Sequence, residues 1–184
     1  MSLSAYQKLR VVGIEDGSFV KEVNKKALLS LVLFHGLKIE DARFAWIKVD
    51  GLDATSKVVK ALDGWKFDVV ILAGVSFGGF NLIDPAVIND KLGKPIIVVS
   101  RTKPKNEAVK RALKRHFRDW EIRWKVFEKL GSVFKVKVDG RPPIFIETIG
   151  IDSDSASKLI RALSVYGKVP EPIRVARLIA RGLS

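Results

Sequence analysis

Cysteine is absent from this 184-residue sequence, methionine occurs once and histidine twice. Without cysteine the chain can form no disulfide and offers no thiolate to a metal. His35 and His116 stand far apart, and no metal-ligand spacing surrounds either of them. The sequence also contains neither a nucleophile motif with its triad partners nor a nucleotide-cofactor fingerprint. Zinc chemistry, disulfide scaffolds and the common cofactor enzymes are therefore disfavoured.

Long apolar runs are missing as well. None approaches the roughly 18–20 residues that a membrane-spanning helix needs, and the first ten residues, MSLSAYQKLR, lack the apolar core of a signal peptide. We therefore expect no membrane partner and a cytoplasmic location. With 47% hydrophobic residues and no repeat or low-complexity segment, the sequence predicts one globular domain over residues 1–184. Scarce methionine and abundant lysine are typical of thermophile proteins.

Acids are the minority among the charged residues, with 20 Asp and Glu against 33 Lys and Arg, a formal net charge of +13. This excess favours a polyanionic partner, most simply nucleic acid, although a basic solvated surface is the alternative. Helical spacing puts the bases on two faces, one on a helix predicted over 106–118 and one on a final helix that starts near Pro170. The predicted nucleic-acid-binding residues are Arg111, Lys114, Arg115, Arg118, Arg174, Arg177 and Arg181.

Short apolar runs predict the order of the strands. Three runs with short connections, which end near Asp16, His35 and Val49, predict an antiparallel meander, because parallel pairs need long crossovers. Runs at 68–72 and 95–99, separated by helical patterns, predict parallel strands, and a hairpin with two helices follows. The predicted fold class is α/β, a ribonuclease H-like mixed sheet of three antiparallel and then parallel strands, with helices on both faces.

The aromatic residues Trp120, Trp124 and Phe127 follow the basic helix at helical spacing. Aromatics interleaved with bases can serve as stacking platforms for nucleobases. At this spacing they more often belong to the core, which is the interpretation that we favour.

The first strand ends in two acids within VVGIEDGSF, residues 11–19. A carboxylate at the exit of a central strand costs desolvation unless it is paired, hydrogen-bonded or holding a cation. Asp16 is therefore either a functional carboxylate or a turn residue before Gly17. A ribonuclease H-like sheet sets the exits of its first and fourth strands side by side, which here are Asp16 and Ala73. The glycine-rich segment 73–80 reads as a connecting loop.

These motifs resemble the endonuclease V superfamily and, more narrowly, the archaeal DUF99 or UPF0215 group. The narrow resemblance rests on VVGIEDGSF, VDGLDAT, VILAGVSFGGFNLID and VPEPIRVARLIA, and it covers nearly the whole chain. In the wider resemblance, the first-strand Asp of endonuclease V matches Asp16, and its lysine falls at Arg101. Its helix-opening Asp before Ser-Ala matches Asp154, and its Pro-Glu-Pro-x-Arg segment matches 170–174.

The resemblance implies a chemistry, because endonuclease V cuts nucleic acid near a deaminated base with carboxylate-bound Mg²⁺. It implies Asp16 and Asp154 as ligands of a weakly held Mg²⁺ or Mn²⁺, and a catalytic set of Asp16, Asp154, Asp53 and Arg101. The sequence departs from the pattern where the fourth-strand Asp falls on Ala73, and Asp53 matches a family glutamate only with a gap. The family's strand-separating wedge has no counterpart around 50–56. Each acid also has a structural alternative, since a carboxylate in the first turn of a helix is stabilised there in any case.

Three functions remain open from the sequence. Ala73 favours a nucleic-acid-binding protein of endonuclease V-like fold whose catalysis is divergent or lost. The alternatives are an active Mg-dependent nuclease on deaminated or structured DNA or RNA, and a small-molecule phosphoesterase that uses the same pocket. Because a methyl group cannot ligate a cation, residue 73 discriminates the first function from the second.

Overall fold

The computed structural model describes Tyr6 and residues 8–20, 23–138 and 140–184. Within these ranges the chain forms strands and helices in the order β-β-β-α-β-β-β-α-β-α-α-β-β-α-α. The strands are β1 (Arg10–Asp16), β2 (Lys26–His35), β3 (Lys38–Lys48), β4 (Val69–Leu72), β5 (Ser76–Phe77), β6 (Asn81–Leu82), β7 (Ile96–Ser100), β8 (Phe134–Val136) and β9 (Ile144–Ile149). The helices are α1 (Ala54–Leu62), α2 (Pro85–Leu92), α3 (Asn106–His116), α4 (Trp120–Glu128), α5 (Ser153–Leu163) and α6 (Glu171–Gly182).

Seven strands form one mixed sheet in the order β3-β2-β1-β4-β7-β9-β8. The first three strands are antiparallel, β1, β4 and β7 are parallel, and β9 is antiparallel to β7. The predicted mixed sheet and the edge hairpin of β8 and β9 are confirmed. Two details differ from the prediction. The glycine-rich segment contains the two-stranded hairpin β5-β6, and the predicted helix 106–118 ends at His116.

Strand β1 alternates between two faces of the sheet. Val12 and Ile14 point into the apolar core beneath α1 to α4, so the intervening Gly13 and Glu15 point towards α6. A Cβ atom at Gly13 would lie 2.2 Å from the backbone carbon of Pro172. Glycine at this position is therefore what lets the start of α6 rest directly on the strand.

The register sets the ends of three strands at one edge of the sheet. Ile14 pairs with Leu72, and Leu72 pairs with Val98, so β1, β4 and β7 end side by side. We call this the carboxyl edge. Open α/β sheets bind ligands at this edge.

The sheet separates two apolar layers. The larger core cluster lies beneath α1 to α4, and the partly buried Trp120 and Trp124 pack against it, as expected from their spacing. The second cluster lies beneath α5 and the start of α6. In the described part of the chain, no helix combines the length and apolarity that crossing a membrane requires.

Candidate active site

Glu15 is a buried carboxyl group at the carboxyl edge, and its side chain points towards α6. Burial raises its pKa to about 7, and Arg177 opposes this rise. The Nε and Nη2 atoms of Arg177 donate to one oxygen, Oε1, at 2.8 and 2.6 Å. The other oxygen, Oε2, is buried and accepts no hydrogen bond from any described residue. A buried acceptor of this kind lowers the stability of the fold unless a ligand or water donates a hydrogen bond to it.

Asp16 follows Glu15 and fixes the loop of the β5-β6 hairpin. Its Oδ2 accepts a hydrogen bond from the backbone N–H of Gly78 at 2.7 Å. Burial raises the pKa of Asp16, whereas the Gly78 bond and the positive charges of Arg177 and Arg181 lower it. Asp16 therefore has a structural role at the carboxyl edge and shares the positive charge of Arg177 with Glu15.

Three arginines surround these two acids. Burial lowers the pKa of Arg101, as do the neighbouring charges of Arg177 and Arg181, while Glu15 raises it. Three guanidinium groups against two carboxylates leave this edge with a positive balance even when both acids are ionised. Planar guanidinium groups bind phosphate with two parallel hydrogen bonds, so the composition suits a phosphodiester.

A cleft of about 600 Å³ opens at this edge and is bordered by Ala73, Arg101 and Arg177. Its apolar wall includes Val98, and Glu147 of β9 also lines it. Glu147 is only 4% exposed, and burial raises its pKa. The cleft thus combines cations at its mouth with a protonatable acid and apolar side chains deeper inside.

Ala73 borders the cleft beside Glu15. Its backbone N–H donates to the carbonyl of Ile14 at 3.2 Å, which continues the pairing of Ile14 with Leu72 by one residue. Because paired residues of parallel strands point to the same face, the side chain at position 73 shares the face of Glu15. The expected contact between the exits of the two strands is present, and Glu15 is the acid at that contact.

Asp154 lies at the end of the sheet opposite the carboxyl edge, far from Asp16. Strand β9 runs antiparallel to β7 and ends with Ile149 beside Ile96, the first residue of β7, so α5 begins at the far edge. The side chain of Asp154 is 71% exposed and forms an ion pair with Lys158 at 2.6 Å. The structure therefore does not bring the two predicted metal ligands together.

Asp53 and Arg101 both lie at the carboxyl edge, in different roles. The Oδ1 atom of Asp53 accepts bonds from the N–H of Lys48 at 3.1 Å and from Nδ2 of Asn81 at 2.6 Å. These bonds tie the turn after β3 to the β5-β6 hairpin. Arg101 is exposed at the exit of β7 and borders the cleft.

The predicted nucleic-acid-binding residues lie on opposite faces of the sheet. Helix α3 packs on the larger core cluster, and its outer face with the adjoining turn exposes Arg111, Lys114, Arg115 and Arg118. Helix α6 packs on the other face of the sheet. There Arg174 is held by Glu171 at 2.8 Å, Arg177 is held by Glu15, and Arg181 is exposed at the carboxyl edge.

A divalent cation has two carboxylates available at this edge. No group of three or more His, Asp or Glu side chains in the described ranges could hold an ion by itself. Glu15 points towards α6 and Asp16 towards the β5-β6 hairpin, so a cation here would be held weakly, by one of these carboxylates at a time; Oε2 of Glu15 accepts no hydrogen bond from a described residue. Such an ion would take its remaining ligands from substrate phosphate and water, as Mg²⁺ commonly does.

Known proteins share both the sequence and the fold of this chain. The endonuclease dU family matches residues 7–184. A UPF0215 protein of Methanothermobacter thermautotrophicus is 35% identical over 182 residues, which cover 96% of this chain and 88% of that protein. A crystal structure of a protein of unknown function from Archaeoglobus fulgidus has a TM-score of 0.85 and 31% identity, and covers 96% of this chain and 98% of its own.

More distant structures share the fold alone. Endonuclease V from Bacillus subtilis has a TM-score of 0.65 at 14% identity and covers 100% of this chain and 83% of its own. The D234N variant of Ciona intestinalis endonuclease V, in complex with a DNA that contains inosine, has a TM-score of 0.63 at 14% identity, with coverages of 95% and 84%. The endonuclease V-like fold expected from the motifs is confirmed.

Proposed function

The chain belongs to the endonuclease dU family, and we propose that it binds DNA at the carboxyl edge and cuts a strand near a deaminated base. Deoxyuridine, for which dU is the usual abbreviation, is the deamination product of deoxycytidine and is the first substrate to test. The observation that carries the proposal is the arrangement of Glu15 and Arg177 beside the cleft. It combines an acid of pKa about 7 with a phosphate-binding cation.

Binding comes from three arginines at the carboxyl edge, two of which, Arg101 and Arg177, border the cleft. Arg101, Arg177 and Arg181 present guanidinium groups to one edge of the sheet, where a phosphodiester can receive paired hydrogen bonds. Arg177 already donates twice to Glu15. If Arg177 turns towards a phosphate oxygen, Glu15 loses its hydrogen-bond donor and becomes free to accept a proton.

Glu15 is the residue that we assign as general base. An acid with a pKa near the working pH is ionised often enough to accept a proton and basic enough to take it from water. In the proposed step the water oxygen bonds to phosphorus and one of its protons passes to Glu15. The bond to the leaving oxygen breaks, and that oxygen keeps the electron pair and takes a proton from solvent. Arg101 and Arg181 offset the negative charge that develops on the phosphoryl oxygens. A Mg²⁺ or Mn²⁺ ion held by Asp16 and the substrate phosphate would supply further stabilisation of that charge.

Ala73 supports a second candidate function. It places a methyl group next to Glu15, where the resemblance to endonuclease V leads us to expect a third carboxylate. A site with fewer acids and several arginines favours binding of the phosphodiester over its hydrolysis. The second candidate is therefore a DNA-binding protein that recognises damaged strands and does not cut them.

A cleavage and binding assay separates the two functions. Oligonucleotides that contain deoxyuridine, inosine or only standard bases are incubated with the wild type in Mg²⁺, in Mn²⁺ and without added metal. Cleavage next to deoxyuridine, reduced by about 100-fold or more in Glu15→Gln, supports the endonuclease, since a general base typically contributes that much. Binding without cleavage under all conditions supports the second candidate.

Asp154→Asn is the matched control, because it removes a carboxylate at the far edge of the sheet. We expect this variant to cut like the wild type. If Asp154→Asn abolished cleavage and Glu15→Gln did not, the assignment of Glu15 would be wrong, and the sequence prediction for Asp154 would be supported instead.

A further inference from the structure

Strand β3 carries two exposed aromatic residues on a face that none of the helices α1 to α6 covers. Ile47 points into the core beneath α1, so Phe44 and Trp46 point to the other side of the sheet. On that side α6 packs over β1 and β2, and Ala42 is the one described residue of β3 that packs against the apolar cluster of α6 and β2. Phe44 is 45% exposed and Trp46 is 50% exposed. Two uncovered rings on an edge strand form an exposed apolar patch, and such patches mark binding sites.

Lysines surround Trp46 at the end of the strand that lies nearest the carboxyl edge. Lys26 and Lys48 pair directly across β2 and β3, and like charges in that position destabilise a sheet. Two adjoining hollows of about 430 and 550 Å³ lie here, and Lys25 and Lys26 line both. Trp46 lines the first hollow and Lys48 the second. Asp50 also lines the second hollow, and its Oδ1 accepts a hydrogen bond from the N–H of Phe80 at 2.9 Å, so lysines outnumber acids along the two hollows.

We propose that Trp46, Phe44, Lys25, Lys26 and Lys48, here the Trp46 patch, form a stacking subsite for an unpaired base of a DNA strand. An aromatic face accepts any base, and adjacent lysines bind the phosphates on either side of it. The charges favour this occupant over a second copy of the chain. A symmetric dimer through the same patch would bring the lysines of both copies together, whereas a polyanion removes their repulsion.

The location extends the proposed function, on which this part of the inference rests. Trp46 is paired with Leu28, and Asp16 with the next residue, Leu29, so the two positions lie at nearly the same height on the sheet. Strands β3 and β1 are two strand spacings apart, about 10 Å. A single strand with one phosphate at Arg177 could therefore place a neighbouring base on Trp46.

The test is the affinity for a short oligothymidine, measured by fluorescence anisotropy with the wild type and three variants. Trp46→Ala should weaken binding by about 5- to 150-fold, the usual effect of losing one base–aromatic stack. Trp46→Phe should retain most of the affinity, because a ring remains. Ile39→Ala is the control, since Ile39 is an equally exposed apolar residue near the other end of β3, at 48%. It should bind like the wild type.

Two results would overturn the inference. One is an unchanged affinity in Trp46→Ala with the wild-type fold intact by circular dichroism. The other is a dimer in sedimentation analysis that Trp46→Ala dissociates while DNA binding persists, which would make the patch a subunit contact.

Glu15→Gln separates this inference from the proposed function. In Glu15→Gln the measurement is cleavage of the deoxyuridine strand, whereas in Trp46→Ala it is the affinity for oligothymidine. If the wild type binds through Trp46 and cuts no substrate, the stacking subsite stands and the endonuclease does not.

Discussion

Arg177 directs two hydrogen bonds to one oxygen of Glu15, at 2.8 and 2.6 Å, although the two residues are 162 positions apart in the sequence. The other oxygen of that carboxylate is buried without a partner among the residues that the structure describes. An arginine with this geometry would normally stabilise the ionised acid, yet burial outweighs it and raises the pKa to about 7. Glu15 is therefore held near its point of half-ionisation at neutral pH.

This raised pKa makes stability depend on pH. The folded chain holds the proton of Glu15 up to about pH 7, and the unfolded chain loses it near 4.5. An acid whose pKa is raised by folding contributes its full stabilisation at pH values below its pKa in the unfolded chain. That contribution is lost as the pH rises towards its pKa in the folded chain, about 7. We expect Glu15→Gln, which stays neutral, to reduce the fall in unfolding free energy between pH 4.5 and 8 by up to roughly 3 kcal/mol.

Guanidinium unfolding curves at several pH values measure this effect. Asp16 and Glu147 also have pKa values raised by burial, so part of the pH dependence should remain in Glu15→Gln. Glu40→Gln is a control on the surface, where Arg10 holds the carboxylate at 3.1 Å. If Glu15→Gln and Glu40→Gln had the same pH profile as the wild type, Glu15 would not be the perturbed group.

The close contact between β1 and α6 gives a second prediction. In Gly13→Ala the new Cβ would lie 2.2 Å from the backbone of Pro172, so α6 must move away from the strand. We expect a loss of roughly 1–3 kcal/mol or more in unfolding free energy, typical of overpacking. Cleavage or DNA binding should fall as well, because Arg177 lies on the displaced helix.

Gly182→Ala is the matched control, because nothing lies within 4 Å of a Cβ at that position near the end of α6. Thermal and denaturant unfolding of both variants provide the measurement. Equal stability of Gly13→Ala and Gly182→Ala would show that α6 does not need the glycine in order to pack.

The strand order was predictable from sequence because buried strands, turns and crossover lengths all indicate one mixed sheet. The side on which Asp154 lies was not predictable. The pattern of apolar residues in a buried strand does not show whether the strand runs parallel or antiparallel to its neighbour. The direction of β9 nevertheless decides at which end of the sheet α5 begins. The β5-β6 hairpin was missed for a related reason, since strands of two residues are too short to show alternation.

Sequence alone singles out Asp16 and not Glu15, because both are acids and only Asp16 precedes an obvious turn. The alternation of side chains between the two faces of β1 was the pattern that pointed to Glu15. Residues at odd positions share the face of Gly13, where α6 packs, and Glu15 is the acid among them. Sequence alone does not show which face of a fully buried strand receives the arginine of a distant helix.

The two basic surfaces lead to a third prediction, about salt dependence. Helix α3 exposes its bases on one side of the sheet, and α6 places Arg181 on the other. If α3 contacts a duplex, changing Arg111, Lys114 and Arg115 together to alanine should lower the slope of log affinity against log salt by about 0.9 per lost contact. The charge control changes Lys38, Lys60 and Lys66, which are exposed on other elements, to alanine.

Both triple variants remove the same formal charge. A lower slope in both would mean that net charge alone drives binding, and an unchanged slope in the α3 variant would exclude α3 from the interface. Titrations between about 50 and 200 mM salt cover the range in which phosphate contacts dominate the affinity.

The last prediction concerns Ala73, which stands beside Glu15 at the exit of β4. Ala73→Asp places a second carboxylate on the face of Glu15, whose buried Oε2 accepts no hydrogen bond from a described residue. Without a cation the two acids repel, so the pKa of Glu15 should rise further. With Mn²⁺ present the added oxygen ligands should tighten metal binding, because hard divalent cations prefer clustered carboxylates.

Calorimetry with Mn²⁺ on the wild type, Ala73→Asp and Ala73→Asn separates the effect of charge from that of shape. We expect measurable tightening only in Ala73→Asp, and its loss when Glu15→Gln is added. Tightening that survives Glu15→Gln but disappears with Asp16→Asn would show that residue 73 cooperates with Asp16, as the motif alone predicts. If Ala73→Asp bound Mn²⁺ no more tightly than the wild type, the arginines at this edge would exclude a cation. Phosphate would then be the ion that the site binds.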